Sequence, residues 1–292
     1  MDWFFLALLS AFSLATADAL CKRQLSSYGG WQLLVVRFVI PGILLTPFLF
    51  LYPLPANLPK EFWLWMIILI PLEIVAMLLY MKAINEAPLY QTLPYLSFTP
   101  VFTIVGAWLV LGEQVSLTGG TGIILVVVAT YYLNIEHLQS SGGKKWIEPF
   151  RAITKQRASI IMLAAAFIYS ITAVGSKAAM QFIGPVAFGA LYFVAIGFVT
   201  LFIVIICRPR DLKILSKNIS GNLFIGLLMA IMVMSHFLAI ADVEAAYMIA
   251  VKRLSLLFGI IYGAWLFHEK GLFKNITAAL LMMLGVIMIL FA

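Results

Sequence analysis

Lys252 and Arg253 are adjacent cationic residues inside an apolar run from about Ala245 to Phe267. The run is long enough to span a bilayer, where even one charged side chain costs several kcal/mol. Two charges side by side therefore need a compensating partner. An anionic solute held in a water-filled cavity is such a partner, so the pair predicts a transporter.

Helical geometry separates these two cations. Lys252 shares a face with Ser255, Gly259 and Gly263, a stripe of polar and small residues. Arg253 falls about 100° away on a continuous helix, so it must bend round or bind a carboxylate. Arginine can clamp a phosphate or carboxylate with two hydrogen bonds while lysine adds a point charge. The alternative is a purely structural ion pair between helices.

Glu73 lies near the middle of another apolar segment, 62–82. A carboxylate at that depth needs either a partner or a proton. Glu73 is therefore a candidate for pairing with Lys252 or Arg253, or for carrying a proton that couples transport. The alternative is an isolated, neutral side chain beside a polar neighbour.

The apolar segment 88–111 carries a polar but uncharged stripe, and prolines interrupt it. Each proline frees a backbone group, which suits a hinge or a cavity lining. A plain polar seam between helices is the equal alternative. The stripe consists of Gln91, Tyr95, Thr99 and Thr103, and the prolines are Pro88, Pro94 and Pro100.

Weaker signals come from other polar residues. Arg37 and Asp18 lie toward one membrane face and are expected to pair, mainly as a structural contact. Lys22 and Lys177 are expected to be interfacial lysines whose ammonium groups reach water. His236 can titrate near neutrality, or act as an ordinary hydrogen-bonding residue. Tyr80, Tyr169, Tyr192 and Tyr247 suit either a cavity lining or an interfacial belt.

The predicted substrate-binding set gathers the strongest of these candidates. It contains no catalytic group and no metal ligand, and no cofactor is expected. Its members are Lys252, Arg253, Tyr95, Thr99, Ser255, Glu73, Arg37, His236 and Tyr247.

Composition decides the fold class. Of the 292 residues 64% are hydrophobic and 11% charged, and the mean hydropathy is +1.07, so most of the chain is expected in lipid. Helices are the expected form, because open sheet edges in lipid would leave backbone groups unpaired. The predicted fold is all-α and polytopic, with ten transmembrane segments at roughly 3–20, 31–51, 62–82, 88–111, 117–135, 159–180, 185–206, 221–240, 245–267 and 272–291.

The two halves of the chain repeat. Glu113 precedes Glu269 by 156 residues, and Gly-Ala-Trp-Leu at 106–109 precedes its copy at 263–266 by 157. Five helices per copy is an odd number, so the second copy must cross the membrane in the opposite sense, as in many secondary transporters. The alternative is an old duplication in a membrane scaffold. The predicted organisation is a first repeat at 1–135, a polar linker at 136–158 and a second repeat at 159–292.

These features resemble the drug/metabolite transporter superfamily, in its EamA-type class with two repeats. The second copy departs from the pattern, because His268 stands where the first copy has a glycine. The resemblance is carried by the repeat of five helices, by Gly106-Ala107-Trp108-Leu109 with Gly112-Glu113 and the following Gly119, Gly120 and Gly122, and by Gly263-Ala264-Trp265-Leu266 with Glu269.

The resemblance implies a central cavity lined by helices 1–4 and 6–9, with helices 5 and 10 at the periphery. The Lys252-Arg253 pair also resembles the ninth-helix Lys-Arg pair with which the sugar-phosphate/phosphate translocators of this superfamily hold phosphate. Only an anionic solute is carried over from this likeness. The glycines of helix 5 suit close packing, within the chain or in a homodimer through helices 5 and 10. The other expected partners are a small-molecule substrate and the lipid bilayer, with no nucleic acid.

Charge distribution predicts the orientation. The turns after segments 1, 3, 5, 7 and 9 hold most of the Lys and Arg residues, and the other side holds Lys60 and Lys177. The positive-inside rule therefore places the linker 136–158 in the cytoplasm and both termini outside. Many relatives are drawn with both termini in the cytoplasm, so the resemblance and the charge count conflict. The expected location is the inner (plasma) membrane of a bacterium.

The leading function is secondary transport of a small anionic metabolite, by exchange or export. One alternative is an exporter of amino acids or amphipathic drugs, in which aromatic residues and Glu73 dominate. Another is a membrane assembly protein that transports nothing. An enzyme is disfavoured, because His137, His236 and His268 are scattered and the chain has no phosphate-binding loop.

Overall fold

The computed structural model describes residues 2–24, 28–86, 95–135, 157–267 and 276–292, and every regular element in these ranges is helical. The helices are α1 (Asp2–Gln24), α2 (Gly30–Leu51), α3 (Lys60–Glu86), α4 (Thr99–Leu111), α5 (Leu117–Ile135), α6 (Arg157–Met180), α7 (Pro185–Cys207), a 3₁₀ helix (Pro209–Ser216), α8 (Ile219–Ala241), α9 (Ala245–Lys252), α10 (Ser255–Phe267) and α11 (Ile276–Leu290).

Six of these helices are long and apolar enough to cross a membrane, namely α1, α2, α3, α6, α7 and α8. Three shorter apolar helices match the predicted segments 4, 5 and 10, and α9 with α10 occupies segment 9. The all-α prediction is therefore confirmed for the described ranges. Gln91, Pro88, Pro94 and the linker 136–156 lie outside them.

Helices of the first half pack mainly on helices of the second half. Helix α1 packs on α8, and α6 packs on α3. These contacts correspond, because α1 repeats as α6 and α3 repeats as α8. Two further pairs join a helix to its own repeat, α2 with α7 and α5 with α11, and the contact of α4 with α6 corresponds to that of α10 with α1.

Two glycine contacts show the correspondence between the two halves at the level of single atoms. A Cβ added at Gly42 would lie 2.8 Å from the carbonyl oxygen of Phe193, and one at Gly197 would lie 2.8 Å from that of Phe38. Both glycine and phenylalanine recur after 155 residues. Each of α2 and α7 therefore presses its glycine against the other's backbone, as a two-fold relation between the halves requires.

Helices α5 and α11 approach each other in the same reciprocal way. A Cβ at Gly122 would lie 2.6 Å from the carbonyl oxygen of Gly285, and one at Gly285 would lie 2.7 Å from that of Gly122. Gly122 is thus used for packing within the chain. The homodimer through helices 5 and 10 stays a prediction.

The fourth and ninth segments are both interrupted by a turn at the same repeat position. The amide of Phe98 donates to the Tyr95 carbonyl at 3.3 Å, and the amide of Leu254 donates to the Val251 carbonyl at 2.9 Å. These two bonds lie 156 residues apart. Each bond joins residues three apart, as in a 3₁₀ turn, and the helices α4 and α10 begin after these turns.

The interruption of the ninth segment corrects our expectation of a continuous helix over 245–267. Proline explains the interruption of the fourth segment, since Pro100 opens α4. The ninth segment has no proline, so its turn depends on tertiary contacts. Lys252 ends α9 and Arg253 lies in the turn. The two side chains still have different neighbours, on α8 for Lys252 and on α3 and α6 for Arg253.

The Gly197 contact can be tested by substitution. Gly197→Ala must push α2 and α7 apart, because the added methyl meets backbone, and overpacking of this kind costs about 1–3 kcal/mol. The matched control is Gly259→Ala on α10, where an added Cβ has nothing within 4 Å. We expect Gly197→Ala to lower the melting temperature in detergent and Gly259→Ala to leave it equal or raise it. Equal melting temperatures for both variants would contradict the close contact.

Candidate functional site

Lys252 lies at the last position of α9, beside α8. Its Nζ lies 3.2 Å from Nδ1 of His236 and 3.3 Å from Sδ of Met232. His236 and Met232 are four residues apart on α8, so they present one face to the lysine. Lys252 and His236 are each only partly buried, whereas the neighbouring Arg253 is buried.

Arg253 occupies the turn between α9 and α10 and is 7% exposed. Its Nε is buried and has no hydrogen-bond partner among the described residues. Tyr80 of α3 and Tyr169 of α6 lie close enough to interact with it electrostatically. A buried guanidinium N–H without an acceptor is costly, which marks Arg253 as a group that an incoming acceptor would satisfy.

Glu73 faces this cluster from the middle of α3. Its carboxyl lies among the hydroxyl groups of Thr172 and Tyr192, and Lys252 is near enough to interact with it electrostatically. Tyr192 also donates a hydrogen bond to the Leu69 carbonyl at 3.2 Å. The structure therefore brings Glu73 and Lys252 into one polar cluster. Pairing of the two residues and proton carriage by Glu73 both stay predictions.

Arg37 and Asp18 form the predicted pair. Nη1 of Arg37 donates to Oδ1 of Asp18 at 2.5 Å. Arg37 lies in the π-helical turn Val35–Val39 of α2 and is 2% exposed. Both residues interact electrostatically with Lys252, so the pair borders the cluster as well as joining α1 to α2.

The hydroxyl residues of the predicted set are buried near the two interruptions. Thr99 donates to the Leu96 carbonyl at 2.6 Å, and Tyr95 packs against Met162 of α6. Ser255 is 8% exposed at the start of α10. Thr99 thus makes its bond to the backbone of its own interruption.

Tyr247 lies on another contact. Its hydroxyl accepts a hydrogen bond from the Ser116 amide at 2.9 Å and lies 3.3 Å from the Ser116 hydroxyl. A Cβ added at Gly119 would collide with the same hydroxyl, so the ring covers the start of α5. This places Tyr247 in the junction between α9 and α5, and its role as a substrate contact stays a prediction without a contact to support it.

A second charged contact was missed by the sequence analysis. Nζ of Lys177 lies 2.5 Å from Oε1 of Glu113 and 2.5 Å from the Val243 carbonyl oxygen, while Oε2 of Glu113 accepts from the Ala245 amide at 2.8 Å. Both side chains are mostly buried, 15% and 13% exposed. The expectation that Lys177 reaches water is therefore wrong, because a carboxylate, a carbonyl and a helix start enclose its ammonium.

This ion pair joins three helices at one face of the bundle. Glu113 follows α4, Lys177 lies near the end of α6, and Ala245 begins α9. Gly112 turns the chain after α4 through a left-handed conformation with φ +70°, which glycine adopts at low cost. That turn aims Glu113 back at α6. The pair therefore holds the end of α4, the end of α6 and the start of α9 together.

The fold and the site together define a helical membrane protein with two interrupted helices around an interior cationic cluster. The model of the EamA-like transporter family matches residues 1–135 and 156–291, and the chain belongs to that family. It is therefore an integral, multi-pass membrane protein of a family of membrane transporters.

Solved structures agree on the fold. One crystal structure is 13% identical, with a TM-score of 0.71 over 98% of this chain and 95% of that chain. At this identity the likeness shows the fold alone. No curated protein matches the chain.

The Glu113–Lys177 contact predicts strong coupling in stability. Glu113→Gln or Lys177→Met leaves one charge buried without its counter-ion, which costs about 3–5 kcal/mol. The double variant is expected to recover part of that loss. Chemical or thermal unfolding in detergent measures all three.

The control for this cycle is the exposed pair Lys82–Glu86, whose charged atoms lie 3.9 Å apart. Glu86→Gln is expected to change stability by less than about 1 kcal/mol. Simple additivity of the Glu113 and Lys177 effects would show that the two charges do not depend on each other.

Proposed function

We propose that the chain is a secondary carrier for a small anionic solute, which binds between Lys252 and Arg253. The observation that carries this proposal is the set of contacts of the two cations. Lys252 contacts an imidazole nitrogen and a thioether sulfur, and Nε of Arg253 has no acceptor among the described residues. Neither contact of the lysine supplies a negative charge.

The charge balance of the cluster supports the same reading. The cluster holds three cations, Arg37, Lys252 and Arg253, and two carboxylates, Asp18 and Glu73, and Lys252 interacts electrostatically with the other four. Asp18 is already bound to Arg37. When all five groups are ionised, one positive charge is left in a low-dielectric interior, where an anionic guest is strongly favoured.

The two interrupted helices support alternating access. In secondary transporters with inverted repeats, the site lies at the repeat interface beside discontinuous helices, and one half moves against the other. Here α4 follows one turn and α9 precedes the other, the two turns lie at corresponding repeat positions, and α4 and α9 pack on each other. The Glu113–Lys177 pair holds their ends together at one face. Opening of that face requires this pair to separate.

A second candidate is export of amino acids or amphipathic drugs. Glu73 and the tyrosines beside Arg253 favour it, because a carboxylate and a guanidinium suit the two ends of an amino acid. In that case Glu73 contributes binding energy and Lys252 contributes little. An assembly protein that transports nothing predicts no solute binding at all.

Anion binding can be tested with Lys252→Met, which keeps the chain length and apolar stem. Sulfate, inorganic phosphate and acetate at millimolar concentration are expected to raise the melting temperature of the wild type. Truncation of a buried charged contact costs about 2–5 kcal/mol, so Lys252→Met should weaken binding at least about tenfold. Binding of an amino acid that survives Lys252→Met but not Glu73→Gln would instead support the second candidate.

The exposed Lys217 supplies the control. Lys217→Gln removes one positive charge from the surface and should bind the same anions as the wild type. A wild type that no anion and no amino acid stabilises, together with no uptake into proteoliposomes, would favour the assembly protein.

The orientation can be tested with single cysteines. Ala56 and Ser216 are exposed on opposite faces of the bundle, and the native Cys21 and Cys207 can be replaced first. The charge count predicts that a membrane-impermeant maleimide labels Ala56→Cys in intact cells and labels Ser216→Cys only after lysis. The reverse pattern would favour cytoplasmic termini.

A further inference from the structure

Lys252 has two neighbours of different chemistry on one face of α8. Nδ1 of His236 lies 3.2 Å from its Nζ, and Sδ of Met232 lies 3.3 Å from it. Only the imidazole can gain a proton. The two neighbours therefore allow a titratable contact and a non-titratable contact of the same lysine to be compared directly.

A lysine ammonium can donate to Nδ1 only while that nitrogen carries no proton. The contact between Lys252 and His236 therefore holds the imidazole in its neutral form. An anion that draws the ammonium away frees Nδ1. The same anion also cancels the positive charge that opposes a second proton on the ring.

We propose, on the basis of the proposed anion carrier, that His236 takes up a proton when an anion binds to Lys252. Anion and proton then bind together and cross the membrane together. By linkage, each favours the binding of the other by the same factor. The only covalent change is the new N–H bond at Nδ1 of His236. The proton comes from the water on the side to which the site is open.

The charged surroundings of His236 fit this exchange. Lys252 and Arg253 both lie close enough to the ring to interact with it electrostatically. The two nearby carboxylates have other partners, since Asp18 binds Arg37 and Glu73 lies among hydroxyl groups. The groups that act on His236 or on its lysine are Lys252 and Arg253 at the end of α9, Asp18 of α1, Arg37 of α2 and Glu73 of α3, with Tyr192 of α7 packed against the adjacent Phe237.

The sign of the pH dependence follows from proton uptake. If binding adds a proton to the complex, the affinity for the anion rises as the pH falls, by up to about tenfold for each pH unit. Sulfate and acetate keep their own charge between about pH 6 and pH 8. They therefore report protonation of the protein and not of the probe.

The experiment measures the pH change in weakly buffered detergent solution when sulfate or acetate binds to the full chain. We compare wild type, His236→Asn and Met232→Leu. The amide oxygen of asparagine can still accept from Lys252 near the position of Nδ1, but it cannot take a proton. Met232→Leu removes the other contact of the lysine and no titratable group.

The expected result is proton uptake with an affinity that rises at lower pH in wild type and Met232→Leu. His236→Asn should bind the anion more weakly than the wild type at low pH, without proton uptake and with an affinity that is constant over the same range. Proteoliposome uptake of radiolabelled sulfate, which does not cross lipid unaided, should respond to an inward-directed proton gradient only in the first two proteins.

Three results would overturn the proposal. Proton uptake that persists in His236→Asn assigns the proton to another group. That group is Glu73 if Glu73→Gln abolishes the proton uptake. Anion binding without any uptake in the wild type rejects coupling but leaves the carrier intact. A wild type that binds neither probe rejects the anion site on which the proposal rests.

Discussion

Burial of charge in a low-dielectric bundle is the constraint on which this structure depends. The described interior holds four basic residues in close contacts, and two of them are neutralised by carboxylates. Arg37 binds Asp18, and Lys177 binds Glu113. Lys252 and Arg253 differ, because the atoms within reach of Lys252 are His236 and Met232. A buried charge without a partner is unfavourable. Arg37 and Lys177 each have a carboxylate partner, whereas Lys252 and Arg253 have no salt bridge among the described residues.

The scaffold around this cluster combines tightly packed helix pairs with two interrupted helices. Reciprocal glycine contacts bring α2 against α7 and α5 against α11 with backbone nearly touching backbone. Such surfaces resist sliding, because any shift brings carbonyl oxygens into collision. The fourth and ninth segments instead change from α-helical to three-residue hydrogen bonds at Phe98 and Leu254. A change of direction is therefore least costly at these turns, which adjoin the cationic cluster.

Hydropathy predicted the helices because a membrane span needs little besides length and apolar side chains. The Arg37–Asp18 pair was also predictable, since both residues lie near the same end of consecutive helices. The Glu113–Lys177 pair was not, because it joins distant helices and a terminal lysine ordinarily reaches water. The repeat contained a usable signal: Glu113 recurs at Glu269, and Lys177 repeats Lys22. A glutamate and a lysine that both recur in each half indicate partners, whereas one interfacial lysine does not.

The interruption at Leu254 was missed for a related reason. Proline is the strongest sequence signal for an interrupted helix, and only the first copy has it, at Pro100. Transfer of that position across the repeat would have placed the second turn beside Arg253. Side-chain contacts such as Lys252 with His236 had no local signal at all, since they arise from the way α8 and α9 pack.

Helix α9 connects the ion pair to the cluster. It has eight residues and is therefore about 12 Å long, too short to bend appreciably. Its first amide, that of Ala245, donates to Glu113, and its last residue, Lys252, contacts His236. A rigid element held at both ends transmits a displacement of one end to the other. The contacts of Glu113 and of Lys252 thus lie at the two ends of one short, stiff helix.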